Sequence, residues 1–291
     1  MVGTIEIFRH EFADHISSKR FVILLSFIYI IGFSMTYQAL GDIRSVLQRT
    51  DGELVFIQLF TTQAGSIPSF LGFIQYFSPL IGMFLTFDAI NRDLSAGTLT
   101  NVLSQPVHRD SILFGKFLAG VATISIILGS VIILINGMGI IVLSAIPTFE
   151  EILRITAFTL FSIIYMSLWV SLGIMFSILF QREGTSALFS MLIWLFFTVF
   201  ISMIYDVTRA EIIFYSPTYV FYQISSVIMM PRIKSLSIIS YEKTIGMLPT
   251  PLPFIESLLL ILPNITILFV AMIFVFIMSY IVFMKKEIRI T

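Results

Sequence analysis

Six long apolar runs alternate with polar segments along the chain. Each run is close to the ~20 residues that an α-helix needs to cross the hydrocarbon core of a bilayer. None of the six cores contains Asp, Glu, Lys, Arg or His. The pattern predicts an all-α integral membrane protein with six transmembrane helices, at 21–40, 67–87, 117–146, 155–180, 186–205 and 258–284.

The polar stretch before the first span has a helical pattern of its own. Ile5, Phe8, Phe12 and Ile16 follow one another at helical spacing, so they share one face of a helix. Residues 1–20 are therefore predicted to form an interfacial helix that lies on the bilayer. Packing of this amphipathic helix against the protein is the alternative. A cleaved signal peptide is disfavoured because 20 residues of mixed charge precede the apolar run.

The segment between the fifth and sixth spans is too apolar for an open aqueous loop. Within 206–256, the runs 212–215 and 219–222 are apolar and aromatic, and Pro217 separates them. Each run is too short to cross a membrane. We expect re-entrant or interfacial pieces here, because irregular backbone at membrane depth must be covered by protein or line a cavity.

The distribution of Lys and Arg predicts the orientation. An even number of spans brings both termini to the same side of the membrane. The segments on that side carry about twice the density of basic residues found on the other side. Both termini are therefore expected in the cytoplasm, and 206–256 is expected to be an extracytoplasmic loop.

Composition excludes several classes of function. Hydrophobic residues make up 57% of the chain and charged residues 12%, which is too few charges to coat a soluble domain. The 17 basic and 17 acidic residues leave no positive excess for binding nucleic acid. The absence of cysteine excludes disulfides, thiolate metal sites and cysteine nucleophiles.

The candidates for catalytic chemistry are weak. His10 and His15 are five residues apart, which places their imidazoles about 140° apart on a helix and prevents shared zinc binding. Glu150 and Glu151 before Arg154 fit the acidic start of a helix better than a protease motif. We therefore expect a subunit without catalysis and without its own metal or cofactor. Spans without ionisable residues also disfavour a secondary transporter, which stays an alternative.

The loop between the second and third spans, 91–109, carries the most specific pattern. Thr98 is suited to cap a short helix after Gly97, and Pro106 ends that helix. Leu99, Val102 and Leu103 would form one apolar stripe on it. The stripe would either enter a groove on a partner or pack on the membrane ends of this protein. The spacing supports the two equally.

This region resembles the hallmark of the transmembrane permeases of type-2 (type V fold) ABC exporters, which work with an ATP-binding-cassette subunit. The resemblance extends over essentially the whole chain, and the branch that includes the permease for nitrous-oxide reductase maturation is the most similar. Aspartates stand where glutamate is commoner, and valine stands at one leucine position. The matching residues are Asp88, Asp93, Gly97, Thr98, Leu99, Val102, Leu103, Ser104, Pro106, Val107, Arg109, Gly115 and Lys116.

The resemblance implies a role for each part of this segment. Residues 93–104 would form a coupling helix that seats on a cytoplasmic ABC ATPase, with Leu99, Val102 and Leu103 as its contacts. Pro106 and Arg109 would set the turn back to the third span, and Asp88, Gly115 and Lys116 would mark the membrane boundary. ATP and Mg would be held by the ATPase, because this chain has no phosphate-binding loop.

The whole of 1–291 would then be one permease domain in the cell membrane of a prokaryote. Two copies, as a homodimer, would form the path for cargo, and the loop before the sixth span would shape its outer gate. An uncharged interior favours lipophilic or amphipathic cargo. The main alternative is a permease that transmits force to an extracytoplasmic partner and moves no cargo; an intramembrane enzyme is less favoured.

Overall fold

The computed structural model describes residues 2–47, 54–63, 68–97, 109–208, 211–230 and 252–285. These residues are almost entirely helical, and no strand occurs among them. The α-helices are α1 (Val2–Ser17), α2 (Lys19–Leu47), α3 (Val55–Thr61), α4 (Phe70–Thr86), α5 (Asn91–Ser95), α6 (Arg109–Leu143), α7 (Phe149–Leu179), α8 (Glu183–Leu195), α9 (Ile201–Thr208), α10 (Pro217–Met229) and α11 (Phe254–Lys285).

Six candidate membrane spans are long and apolar enough to cross a bilayer, which confirms the prediction of a six-span all-α membrane protein. They are built on α2, α4, α6, α7, α8 with its continuation into α9, and α11. The third span begins at Arg109, eight residues before the expected start. This extension is possible because Lys116, in its first turns, is neutralised by acidic partners.

Helix α7 lies at the centre of the bundle. It packs against α4, α6, α10 and α11, and most of its span is buried inside the protein. Glycines allow α4 to approach it closely: a β-carbon at Gly82 would lie 3.0 Å from the carbonyl oxygen of Met166. The Thr86 hydroxyl then donates to the carbonyl oxygens of Gly82 and Val170, each at 3.1 Å. Close backbone contact and interhelical hydrogen bonds are typical of helix association in membranes.

The bundle has two distinct polar ends. The end that holds α1, α5 and the last turns of α11 is called the terminal end here. The opposite end holds α3, α10 and the first turns of α7 and α11. The predicted coupling helix, 93–104, begins within α5 at the terminal end, and α5 ends at Ser95. Residues 98–108, called the predicted coupling segment here, include most of that helix and lie outside the described part of the chain.

The segment before the last span is more regular than the sequence suggests. Residues 211–215 form a 3₁₀-helix, and α10 extends the second apolar run, 219–222, into a 13-residue helix that ends at Met229. Pro217 begins α10, because a proline in the first turn has no backbone N–H to leave unpaired. Ten of the α10 residues are buried. At about 20 Å, this helix is too short to be a seventh span.

Candidate functional site

Six of the twelve residues that the sequence associates with coupling or with the membrane boundary lie in the described part of the chain. The six described residues gather at the terminal end of the bundle: Asp88, Asp93, Gly97, Arg109, Gly115 and Lys116. The other six lie outside the described part of the chain: Thr98, Leu99, Val102, Leu103, Ser104 and Pro106.

Ion pairs at this end form a group that is called the terminal charge cluster here. It comprises Glu11, Arg20, Asp88, Arg92, Asp93 and Lys116.

Lys116 is the buried centre of this cluster. Its side chain is 3% exposed, and its Nζ lies 2.5 Å from Oε1 of Glu11 and 2.6 Å from Oδ2 of Asp93. A buried ammonium needs such partners, because an unpaired charge out of water is strongly unfavourable. The two ion pairs join α6 to α1 on one side and to α5 on the other.

Asp88 forms the second half of the cluster at the end of the second span. Its carboxylate is 4% exposed, and Oδ2 lies 2.5 Å from Nη1 of Arg20 and 3.8 Å from Nη1 of Arg92. The Arg20 guanidinium also lies over the ring of Phe87, 5.5 Å from its centroid. Asp88 thus joins the start of α2 to the chain that leads into the predicted coupling segment.

Gly115 explains why α1 lies so close to α6. A β-carbon at this position would lie 2.6 Å from Cγ2 of Ile7 and 3.2 Å from the backbone nitrogen of Phe8. Only glycine leaves room for the α1 backbone here. Because α1 approaches at Gly115, Glu11 one turn further along α1 reaches Lys116. The adjacent Gly-Lys pair therefore combines a close helix contact with an ion pair.

Helix α7 holds the start of α5. The Ser177 hydroxyl oxygen accepts hydrogen bonds from the backbone N–H groups of Ile90 at 2.8 Å and Asn91 at 3.1 Å. These N–H groups have no partner within a helix, so Ser177 caps them from another helix. The Ser186 hydroxyl of α8 donates to the carbonyl oxygen of Phe87 at 2.6 Å. The turn between α4 and α5 is therefore fixed by two further spans.

Both ends of the segment 98–108 are consequently anchored. On one side, Gly97 follows α5 with φ +70°, a left-handed conformation that suits glycine at the end of a helix. On the other side, Arg109 begins α6, and Lys116 follows within two turns. A push on this segment would reach α1, α2, α5 and α6 through the terminal charge cluster.

Helix α1 packs on the protein through a face that only partly coincides with its predicted apolar stripe. Ile7, Phe8, Glu11 and Phe12 are half-buried, whereas Ile5 remains 59% exposed. The stripe is thus divided between packing on α6 and an outward surface that includes Ile16, 38% exposed. Packing on protein, the alternative considered from the sequence, accounts for one face. The position of α1 at the membrane interface stays a prediction.

His15 is the titratable neighbour of the cluster on α1. Burial is the main cause that lowers the pKa of His15 below its usual 6.5. Glu11 and Asp88 oppose this shift of the pKa, while Lys116 and Arg92 add to it. His15 is therefore held as the neutral imidazole at neutral pH.

Sequence reasoning missed the partners that complete the cluster. Glu11, Arg20 and Ser177 were not among the expected site residues, although they contact Lys116, Asp88 and the backbone of Ile90, which flank the predicted coupling segment. Glu11 could have been identified from its position, because it lies on the same face of α1 as Ile7 and Phe8, which is an unusual place for a charge. No local pattern marks Ser177, one of several serines on α7.

A second polar cluster occupies the opposite end. Thr148 and Glu151 form a capping box at the start of α7, so this motif is the acidic start of a helix, as the sequence indicated. Oε1 of Glu151 also accepts the backbone N–H of Phe56 at 2.7 Å. Arg154, fully buried, donates to the carbonyl oxygens of Ile228 at 2.9 Å and Leu252 at 2.5 Å. These bonds tie α3, α10 and the start of α11 to α7.

Residues 5–288 of the chain match the family described as ABC-2 family transporter protein. A search of curated proteins found no match. The match covers nearly the whole chain, and the chain therefore belongs to the ABC-2 transporter family, as a multi-pass membrane component.

Proposed function

We propose that this chain is the permease subunit of an ATP-driven exporter, which forms the path for cargo as a homodimer and is driven by a separate cytoplasmic ABC ATPase. Membership of the ABC-2 family supports an ABC permease with a partner ATPase. Export, the dimer and the coupling helix are our inference. Placement in the nitrous-oxide reductase maturation branch stays a prediction.

The observation that carries the proposal is the anchoring of both ends of the segment 98–108. Lys116 bridges Asp93 and Glu11, and Asp88 bridges Arg20 and Arg92. These ion pairs, centred on the buried Lys116 and Asp88, would make the coupling segment move together with the starts of α2 and α6. A motor that displaces the segment would tilt spans instead of bending a loose loop.

The proposed orientation puts the terminal end in the cytoplasm of a prokaryotic cell and the opposite end outside. The density of basic residues supports it. ATP and Mg would be bound and hydrolysed on the ATPase, and this chain would contribute no catalytic group. Closure of the two ATPase subunits would push the coupling segments and convert the path from inward-facing to outward-facing.

The experiment is co-purification of the permease with its ATPase after charges are added to the coupling segment. In the variant Leu99→Asp with Leu103→Asp, each new carboxylate would be buried in the groove of the ATPase, which is strongly unfavourable. We expect loss of co-purification with normal membrane insertion. Thr100→Asp with Asn101→Asp adds the same two charges to the polar positions and should keep the complex. Equal yields of complex from both variants would refute the docking assignment.

Reconstituted vesicles distinguish export from force transmission. ATP-dependent removal of a lipophilic or amphipathic cargo from one side supports export. ATP hydrolysis that the permease stimulates without any flux supports a permease that acts on an extracytoplasmic partner.

A further inference from the structure

A cavity of about 390 Å³ opens at the opposite end of the bundle. It lies between the start of α4, the last turns of the fifth span, the 3₁₀-helix and α10. Its volume is within the ~300–1,000 Å³ typical of sites for small molecules. It is remote from the terminal charge cluster, because α4 runs the length of the bundle between them.

The described residues that line this cavity are polar, aromatic or aliphatic. None of the described residues that line it carries a formal charge. Tyr76, Tyr219 and Tyr222 contribute aromatic rings, and Ser202 adds a hydroxyl group. An anionic or cationic ligand would meet no opposite charge on these residues. A neutral ligand with many hydroxyl groups would meet both hydrogen-bonding partners and ring faces.

Gln75 is the group that points most directly to a ligand. It lies in the second span, is 9% exposed and lines the cavity. Its backbone carbonyl accepts a hydrogen bond from Tyr165 at 3.1 Å. Its carboxamide, which offers two donors and one acceptor group, hydrogen-bonds to no residue of the described ranges. Buried polar groups are normally paired, so this amide is available to a bound molecule.

Another part of the cavity wall is Phe197, which belongs to a π-helical turn, Phe196–Phe200. The carbonyl oxygen of Phe197 accepts a hydrogen bond from the Ser216 hydroxyl at 3.2 Å, and Thr198 bonds to the carbonyl oxygen of Trp194 at 2.6 Å. Both Phe197 and Ser216 line the cavity. Turns of this kind are rare and frequently occur at functional sites. The distortion of the fifth span therefore falls where it shapes the cavity.

We propose that this cavity binds a neutral sugar ring, presented either as a free saccharide or as the headgroup of a glycolipid. Sugar hydroxyls would pair with Gln75 and the cavity hydroxyls, and the C–H faces of the ring would stack on the tyrosines, whose ring faces are electron-rich. This inference rests on the proposed export function in one respect: it takes the cavity as the extracytoplasmic part of the path for cargo, and it names the chemical class of ligand that binds there.

Binding can be measured on the permease without its ATPase, so a failure here is distinct from a failure of the proposed function. Trp194 is a natural reporter, because its Nε1–H donates to the carbonyl oxygen of the cavity residue Tyr76 at 2.7 Å. The permease in phosphatidylcholine nanodiscs would be titrated with maltose, with glucosyl diacylglycerol in the disc, and with glucose 6-phosphate. We expect saturable fluorescence changes with a neutral sugar and none with the phosphate.

Gln75→Leu should weaken this binding about tenfold or more, because two hydrogen bonds of the amide are lost. Gln58→Leu, a matched change on α3 away from the cavity, should leave it unchanged. If Gln75→Leu fails to fold, Tyr222→Leu replaces it with the same expectation, because Tyr222 lines the cavity at 39% exposure.

The two sources of sugar give different results. A response to maltose assigns the saccharide itself, and a response to glucosyl diacylglycerol alone assigns a lipid headgroup. The proposal is overturned by the absence of any saturable change up to about 10 mM maltose and in the glycolipid discs. It is also overturned by stronger binding of glucose 6-phosphate, or by equal affinity in the Gln75→Leu variant.

Discussion

The ammonium of Lys116 lies 2.6 Å from Oδ2 of Asp93. Asp93 precedes the predicted coupling segment and Lys116 follows it, so this ion pair closes the loop at its base. Glu11 shares the same ammonium from α1. The contact therefore holds together three helices that sequence separates, and it places a charge network where movement of the loop would be transmitted to the spans.

Removal of the central cation should destabilise this end of the molecule. In Lys116→Met, Glu11 and Asp93 lose the ammonium they share, and we expect a loss of about 2–3 kcal/mol, less than for fully buried carboxylates because both remain partly exposed. Thermal unfolding of the purified permease measures the effect. Adding Glu11→Gln and Asp93→Asn should recover most of the stability. Equal stability of the single variant and the wild type would contradict a structural role for Lys116.

The close contact at Gly115 has a precise mutational test. Gly115→Ala would place a β-carbon 2.6 Å from Ile7 and should displace α1, at a cost of about 1–3 kcal/mol. Gly137 lies on the same helix, and an added β-carbon there meets no atom within 4 Å. Gly137→Ala should therefore be neutral or stabilising by up to about 1 kcal/mol. The melting temperatures of the two variants measure this difference. Equal values would show that α1 does not contact α6 closely at Gly115.

Arg154 should be among the most sensitive charged positions. Arg154→Met leaves the carbonyl oxygens of Ile228 and Leu252 without their donor in a buried site, which should cost about 3–5 kcal/mol. Arg154→Lys should be intermediate, because it keeps the charge but replaces the three spread guanidinium nitrogens, which bond to Glu150 and both carbonyls, by one nitrogen with shorter reach. Arg92→Met is the control: Arg92 is 49% exposed and 3.8 Å from Asp88, so its loss should cost at most about 1 kcal/mol.

His15 predicts a dependence of stability on pH. Because burial lowers its pKa in the folded protein, the unfolded chain binds the proton more readily. The contribution of neutral His15 is present above the usual pKa of 6.5 and is lost as pH falls through the lowered value. The melting temperature of the wild type should fall as the pH is lowered from 6.5 through the lowered pKa, and His15→Gln should reduce the fall. His10→Gln, on the exposed side of α1, should not.

The orientation can be read from single cysteines, since the natural chain contains none. Cysteines at Ser17 and Lys285, both exposed, should react with impermeant thiol reagents only after the cytoplasmic side is opened. A cysteine at Ile146, 82% exposed between α6 and α7, should react in intact cells. Labelling with the reverse pattern would invert the proposed topology.

Sequence alone determined the six spans, because the transfer of about 20 consecutive apolar residues into hydrocarbon depends on local composition and little else. It also identified the acidic start of α7, since a capping box involves residues only three positions apart. Pro217 separates the two apolar runs, as the sequence indicated, because it begins the helix α10 after the 3₁₀-helix ends. The burial of α10 depends on the neighbouring helices, which no local rule describes.

Only the tertiary structure decided the pairing of charges and the cavity at the opposite end. Lys116 and Glu11 are 105 residues apart, and Arg154 and Leu252 are 98 apart, so no spacing rule joins them. The carboxamide of Gln75 reads in the sequence as one more polar residue in a span. Whether a polar side chain in a membrane protein is paired, capped or left open to a cavity depends on which helices pack against it, and that is fixed by the packing of the whole bundle.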